Sequence, residues 1–152
     1  MAQGDLVFFD QFLVDVYEGK HNLETDALFL GLTDGSTTPT ATTAIPYWGA
    51  GGTTNFKAEE CTPGGNYAAD GAALANPSVT LNGGLAEIDW DDPATWATHA
   101  SNPTDATWGI IYNSTATNKE CIGFVDLGGA FNMTTGPLSI TFGTPAATHN
   151  QA

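Results

Sequence analysis

After residue 22, the chain divides into short runs of apolar and β-branched residues, and most of its eighteen glycines and eight prolines fall between them. Runs of this length, ended by turn residues, are typical of β-strands. The predicted strands are residues 25–32, 72–74, 78–81, 86–90, 107–112, 121–127 and 137–142. Several short strands at such intervals predict an all-β fold, a β-sandwich or jelly roll.

Two local signals support the strand prediction. Leu28, Leu30 and Leu32 alternate with Phe29 and Gly31, as expected when neighbouring side chains point to opposite faces of a sheet. Residues 82–84, with the sequence Asn-Gly-Gly, lie between two predicted strands and are typical of a tight hairpin turn.

Residues 5–20 follow a helical period instead. Apolar residues recur at steps of three and four, at Phe9, Phe12, Leu13, Val16 and Tyr17. Asp5 could cap the start, and Gly19 would end the helix. A helix this short is marginal alone, so it must pack on the sheet or on a partner.

The length of the chain predicts one domain over residues 1–152, with a helix at 5–20, a β-sandwich at 23–143 and a tail at 144–152.

Residues 45–63 are poorly patterned and contain Gly49, Gly51 and Gly52, so we predict a long loop, a feature that often serves function. Tyr47 and Trp48 in this loop suggest an aromatic anchor at an interface. The predicted partner contacts are Phe8, Phe9, Phe12, Tyr47 and Trp48, together with the tail from residue 144. The alternatives are a helix packed on its own sheet, a solvated loop and a frayed tail.

Charge restricts the class of partner. The chain has three lysines, no arginine and 17 acidic residues, which gives a net charge of -14. Nucleic-acid binding depends on Lys and Arg neutralising phosphates, so we expect no nucleic-acid partner. We expect no membrane partner either, because the charge repels anionic lipid and no apolar run approaches the roughly 18 residues of a span. The N-terminus lacks the basic start of a secretory signal. The charge is also compatible with solubility alone.

No motif for catalysis, cofactor binding or metal binding is recognisable, so we predict a protein that is not an enzyme. His21, His99 and His149 are far apart and lack metal-site spacing. Residues 89–92 contain three aspartates that suggest either a calcium site or, more simply, a turn before Pro93. Cys61 and Cys121 are read as small buried residues, with a disulfide left open.

The four tryptophans offer another possibility. Trp90 and Trp108 fall in strand patterns and are expected in the core, whereas exposed tryptophans could form the sugar-stacking platform of a carbohydrate- or receptor-binding module. That module remains an alternative function at this point.

Several patches resemble a family of small virion proteins of tailed bacteriophages. In that family, a short helix of the F-x-x-F type leads through "HNLxTDxLKLxL" into the first strand, and residues 21–32 are similar, with Phe29 in place of the usual Lys. Residues 65–72 are similar to "GNGYTxGG". Residues 95–97 and 108–113 resemble "TWTA…RYVVLYN", and residues 122–128 resemble "IGYWDYG". The chain departs from the family mainly at residues 45–63 and in its longer spacer between Trp96 and Trp108.

The resemblance implies a structural part of the particle, and within that class a capsid decoration, or cement, protein. Such a protein binds the outside of the major capsid shell after assembly in the bacterial cytoplasm and stabilises the shell. Its expected partners are the major capsid protein and further copies of itself, as a dimer or trimer. A tail or fibre-base subunit is the alternative within the same family.

Overall fold

The computed structural model describes residues 4–150. The elements in chain order are β1 (Leu6–Phe8), α1 (Asp10–Tyr17), β2 (Leu28–Thr33), β3 (Pro46–Tyr47), β4 (Thr54–Asn55), a 3-10 helix (Phe56–Glu59), β5 (Ala72–Leu74), β6 (Ser78–Asn82), β7 (Leu85–Asp89), β8 (Ala106–Asn113), β9 (Cys121–Phe131) and β10 (Ala147–Asn150). Strands dominate and one short α-helix precedes most of them, so the prediction of a β-rich fold with one N-terminal helix is confirmed.

Antiparallel pairing builds the two larger sheets. One has five strands in the order β1-β9-β8-β2-β5, and the other has three in the order β10-β7-β6. The pair β3-β4 is parallel and only two residues long. The long strands β8 and β9 lie in the middle of the five-stranded sheet, because their apolar residues are buried on both faces.

The predicted alternation in β2 is confirmed, and it separates two apolar clusters. Leu28, Leu30 and Leu32 share one cluster with Ile88 and Trp90, which come from the three-stranded sheet and the residue after it. On the opposite face, Phe29 packs at the edge of a second cluster, whose members are Phe9, Trp48, Phe56, Trp108, Ile110, Tyr112, Cys121 and Phe124. The five-stranded sheet is therefore covered on both faces.

The predicted helix over residues 5–20 is wrong at its start. Leu6–Phe8 is a strand that pairs with β9, and the helix begins only at Asp10, so Asp5 is not its cap. The N-cap residue is Phe9, whose side chain makes no capping hydrogen bond. Pairing with a long neighbouring strand outweighs local helical periodicity here, because β1 gains ladder hydrogen bonds and partly buries its three side chains.

Several other predicted bounds also change. β2 begins at Leu28 and not at residue 25, and β9 continues to Phe131 and does not end at residue 127. Residues 45–63 are not simply a loop, since β3, β4 and the 3-10 helix lie within them and Trp48 and Phe56 enter the second cluster. The predicted tail contains β10, which pairs with β7. The predicted strand at 137–142 is absent from the described chain except for one bridge between Leu138 and Trp96. These residues nevertheless bury Leu138 and Ile140, because an irregular segment can still pack apolar side chains on a sheet.

The hairpin prediction is confirmed. Asn82 pairs with Leu85, which leaves Gly83 and Gly84 as a two-residue turn with positive φ angles of 58° and 86°. Two consecutive positive φ angles favour glycine at both positions.

Cys61 and Cys121 are buried and free, as the simpler interpretation predicted. Burial raises the pKa of the Cys121 thiol well above its usual range, which keeps it protonated.

Candidate functional site

Exposed apolar side chains concentrate on α1. Among residues 4–150, six large apolar side chains are exposed, and four of them belong to this eight-residue helix: Leu13, Val14, Val16 and Tyr17. Tyr17 is 88% exposed. We call these four side chains the α1 surface. Single exposed apolar residues are ordinary, but a contiguous group of this kind marks an interaction site more often than chance exposure.

The opposite side of α1 fixes the helix to the domain. Phe12 and Asp15 are buried, and Phe12 stacks against Phe8 with ring centroids 5.2 Å apart. The helix ends in a paired-bond cap, in which Gly19 N–H donates to Val16 O and Lys20 N–H donates to Asp15 O. Gly19 has a φ of 74°, which this cap requires. The α1 surface is therefore held in one orientation.

An apolar groove of about 680 Å³ runs between α1 and the three-stranded sheet. Leu13 and Val16 line one wall, and they are shared with the α1 surface. The other wall comes from β6 and β7, with side chains of Val79, Ala86 and Ile88. His21 and His149 also line the groove and supply polar groups. A cleft of this size with few polar groups is the usual form of a binding site.

An ion pair stabilises the buried side of the helix. Asp15 is fully buried, and its Oδ1 accepts hydrogen bonds from Gln11 Nε2 at 2.9 Å and from Lys20 Nζ at 2.8 Å. Lys20 also contacts Glu18 at 2.8 Å. The hydrogen bonds to these two carboxylates raise the pKa of Lys20. A buried carboxylate without such a partner would be costly, so Lys20 has a structural role.

His21 lies next to this ion pair. The amide of Asn113 donates to Asp26 Oδ2 at 2.6 Å and lies 3.1 Å from His21 Nδ1. Burial lowers the pKa of His21, and it outweighs the opposing charges of Asp15, Glu120 and Asp26. The neutral ring therefore accepts from Asn113 at Nδ1 and carries its proton on Nε2. Nε2 is buried and has no hydrogen-bond partner among the described residues.

All three lysines are paired within the chain. Lys20 pairs with Asp15 and Glu18, and Lys57 contacts Glu60 and Asp70. Lys119 lies 3.5 Å from Asp70. The cations of this chain thus neutralise its own carboxylates, so the outward field of the domain is acidic.

The predicted anchor at Tyr47 and Trp48 is not exposed, and this interpretation is corrected. Trp48 is completely buried against the five-stranded sheet. Tyr47 is also buried, and its backbone forms an isolated antiparallel β-bridge with that of Glu120. Trp48 Nε1 donates to Asp70 Oδ1 at 2.9 Å. Burying a large aromatic ring with its N–H satisfied stabilises the core far more than leaving it in solvent.

The predicted contacts of the N-terminal helix are corrected in part. Phe9 and Phe12 are buried, Phe9 between Phe56 and Phe124 and Phe12 next to His21, so both are core residues. Phe8 is half-buried and lines the groove. Of the five predicted contact residues, Phe8 and Phe12 line the groove, and Phe12 is only 3% exposed there.

The residues missed by the sequence analysis are those of the α1 surface. A signal was present: apolar residues occupy five of the eight positions in α1, Asp10–Tyr17, whereas only Phe12 and Asp15 are buried. A short helix can bury only one stripe, so the surplus apolar residues must face outward. Counting apolar positions against helix length would have indicated an interaction surface.

The other candidate constellations have structural explanations. All four tryptophans are at most 9% exposed, which removes the exposed sugar-stacking platform. The aspartates of 89–92 point to different segments: Asp89 accepts from Ala146 N, Asp91 from Asn76 Nδ2 and Asp92 from Phe142 N. Across residues 4–150, no three His, Cys, Asp or Glu side chains are grouped for a metal ion.

No protein-family model, curated protein or solved structure matches this chain. The only α-helix of the described residues is too short to cross a membrane.

Proposed function

We propose that this chain is a structural protein of a tailed-bacteriophage particle, a capsid decoration protein that binds the outside of the major capsid shell and stabilises it. The α1 surface carries the proposal. It is an apolar patch held on a β domain, and a protein that acts by adhesion needs such a patch. The resemblance of residues 21–32, 65–72 and 122–128 to virion proteins is the reason for proposing a phage particle as the assembly to which the protein binds.

The resembling patches serve the architecture of the domain. Asn22 N–H donates to Asp26 Oδ2, which closes the turn before β2. In the second patch, Tyr67 accepts from Leu32 N at its hydroxyl, which ties the segment before β5 to the five-stranded sheet. Motifs that build turns and core contacts are consistent with a shared fold whose function resides in its surface.

Charge supports an exterior position. With each lysine paired internally, a net charge of -14 repels packaged nucleic acid and anionic membrane. The major capsid protein would have to offer apolar side chains to the α1 surface, with neutral or basic residues around them. In this arrangement the protein stays soluble in the bacterial cytoplasm until the shell presents that surface.

Stabilisation of the shell follows from mass action. A ligand that binds only the assembled lattice contributes about 2.7 kcal/mol per site when its free concentration is 100 times Kd. Many identical sites on one particle add to this effect, so a modest contact area on each copy is sufficient. No catalytic step, cofactor or metal is required.

We also propose the finer fold description, a β-sandwich of the jelly-roll type, as part of this assignment. Its support is the first apolar cluster, in which Leu30 and Ile111 of the five-stranded sheet pack together with Ile88 of the three-stranded sheet. Two sheets that share one core are the basis of such folds.

The test is reconstitution on undecorated shells of the phage that encodes the chain. Purified protein should sediment with the shells and raise their melting temperature. A double variant, Val14→Ser with Tyr17→Ser, should bind at least about tenfold more weakly, because each change removes an apolar contact while leaving the groove walls intact. The matched control is Ile45→Ser, since Ile45 is 41% exposed but lies outside α1.

The outcomes separate the rival assignments. Wild-type protein that neither binds shells nor shifts their melting would remove the decoration role. Immunogold label on tails with bare heads would instead identify a tail or fibre-base subunit. Equal binding by the double variant and the wild type would show that another surface makes the contact.

A further inference from the structure

We propose that two copies of this chain associate edge to edge through strand β6, antiparallel, about a two-fold axis at Thr80. The pairing would extend each three-stranded sheet into one sheet of six strands, β10-β7-β6-β6-β7-β10. This dimer is independent of the capsid assignment, because it depends only on the edge of the sheet.

β6 is an open edge. Within residues 4–150, it pairs with β7 on one side and with no strand on the other. At five residues it is longer than β1 and β5, the three-residue edge strands of the larger sheet. Open edges normally carry a lysine, an internal proline or a bulge that prevents pairing with another chain. Ser78–Asn82 has none of these, and its register with β7 is continuous.

The hairpin fixes which backbone groups face outward. Asn82 and Leu85 close a two-residue turn, and in such a hairpin the closing pair exchanges both hydrogen bonds. Thr80 therefore also points its N–H and C=O toward β7. Val79 and Leu81 point theirs away from it, and none of these outward groups has a partner in the described chain.

Only certain registers satisfy these outward groups. With Thr80 opposite its own copy, Val79 of each chain lies opposite Leu81 of the other. Each such pair exchanges two hydrogen bonds, so the interface gains four. The Thr80 pair is then of the non-hydrogen-bonded type, whose Cα atoms are about 4.5 Å apart.

Side-chain chemistry favours a second copy as the occupant. Residues 76–86 contain no ionisable side chain, so two chains of net charge -14 can meet here without placing like charges in contact. Leu81 is 81% exposed, and pairing would pack it against the partner's Val79 on the same face. The nearest ionisable residue across the sheet is Glu87, and its Cα would lie about three strand spacings, or roughly 14 Å, from the Cα of its copy. That distance exceeds a Debye length of about 8 Å at physiological ionic strength.

The symmetry has a consequence for the α1 surface. A two-fold axis between antiparallel edge strands leaves the same face of both sheets on the same side. Val79 and Ile88 line the groove beneath α1, so both grooves and both α1 surfaces would face one direction. If the proposed capsid function holds, the dimer would dock through two contacts at once and gain avidity.

The experiment is site-directed cross-linking of the full chain. Thr80→Cys should form a disulfide-linked dimer under mild oxidation, because a Cα separation near 4.5 Å lies within the range of about 4.4–6.8 Å for disulfides. Asn82→Cys is the matched control on the same strand and face. In the proposed register its two copies are about 13 Å apart, so it should remain monomeric on a non-reducing gel. Cys61 and Cys121 are buried and should not interfere.

Sedimentation velocity on uncross-linked protein gives a second readout. The wild type should show a concentration-dependent dimer, and Leu81→Glu should weaken it at least tenfold while leaving the β6-β7 ladder intact. Tyr17→Ser, on the α1 surface, should dimerise like the wild type. A monomeric wild type, a dimer lost with Tyr17→Ser but kept with Leu81→Glu, or cross-linking of Asn82→Cys without Thr80→Cys would each overturn the proposal.

Discussion

The indole of Trp48 stacks on the phenol ring of Tyr112, with ring centroids 4.8 Å apart and planes 5° from parallel. Asp70 joins the two residues, since its Oδ1 accepts from Trp48 Nε1 at 2.9 Å and its backbone carbonyl accepts from the Tyr112 hydroxyl at 2.9 Å. Trp48 follows β3 and Tyr112 belongs to β8. The stack therefore attaches the long segment 45–63 to the centre of the five-stranded sheet.

Trp48→Ala should destabilise the domain by about 3–5 kcal/mol, because it removes a fully buried aromatic ring and leaves a cavity. Trp48→Phe should cost less, since it retains part of the stack and loses one ring and the N–H donor. Urea denaturation followed by circular dichroism would measure both. Tyr17→Ala is the control for aromatic truncation on the surface and should stay within about 0.5 kcal/mol of the wild type. A loss below about 1 kcal/mol for Trp48→Ala would contradict the packing described.

Gly31→Ala tests a second contact of the same indole. A Cβ at Gly31 would overlap the six-membered ring of Trp48, so one of the two residues must move. We expect a loss of about 1–3 kcal/mol, the usual cost of overpacking. In a Trp48→Ala background the same change should cost much less, because the obstructing ring is gone. Equal costs in the two backgrounds would show that the residues do not interact.

Asp70→Asn tests the acid limit of stability. The hydrogen bond from Trp48, together with the nearby Lys57 and Lys119 ammonium groups, lowers the pKa of Asp70 in the folded chain. A carboxyl group with a lowered folded pKa stabilises above its unfolded pKa, near 3.9, and loses this contribution as the pH falls toward the folded value. The wild type should therefore lose stability below about pH 4 more steeply than Asp70→Asn. Parallel acid-denaturation profiles would exclude a contribution from this charge.

His21 gives the opposite case, a base with a lowered pKa. Since burial lowers the pKa of the folded ring below 6.5, the unfolded chain binds the proton first as the pH falls. The free energy of unfolding should thus be full above about pH 6.5 and decrease below it, by at most about 1.4 kcal/mol per pH unit. His21→Gln should flatten this decrease, whereas His99→Gln, at an exposed loop position, should keep it. A decrease that survives in His21→Gln would assign the effect to another group.

Local sequence patterns correctly predicted the strands whose pairing in the sheet is compatible with those patterns. β5, the β6-β7 hairpin and β8 lie within one or two residues of their predicted bounds, because strand alternation and glycine turns depend only on residues that are adjacent in sequence. Two of the failures are near the chain ends. Leu6–Phe8 and Ala147–Asn150 become strands by pairing with β9 and β7, which are more than 50 residues away in sequence. No local pattern contains that information.

The predicted contact residues and the exposed apolar side chains lie in the same part of the chain but are different residues. The N-terminal helix was expected to contact a partner, and α1 does carry the main exposed apolar patch, but Phe9 and Phe12 point into the two clusters while Val14 and Tyr17 point outward. Helical periodicity shows that one side of a helix is more apolar than the other. Which apolar side chains of the helix are buried depends on how the pairing of β1 with β9 positions the helix against the domain.

The sequence by itself determined the β-rich class, the hairpin at 82–85 and the acidic charge, since each follows from composition or from adjacent residues. Only the tertiary structure decided that Trp48 is core, that the segment 45–63 covers a sheet, and that residues 4–150 leave the α1 surface and the outer edge of β6 uncovered. The physical reason is that burial is a property of distant pairs: Trp48 is buried because Gly31 leaves room for its ring and Tyr112 stacks on it. The sequence separates these three residues by 17 and 64 positions, and folding alone brings them into contact.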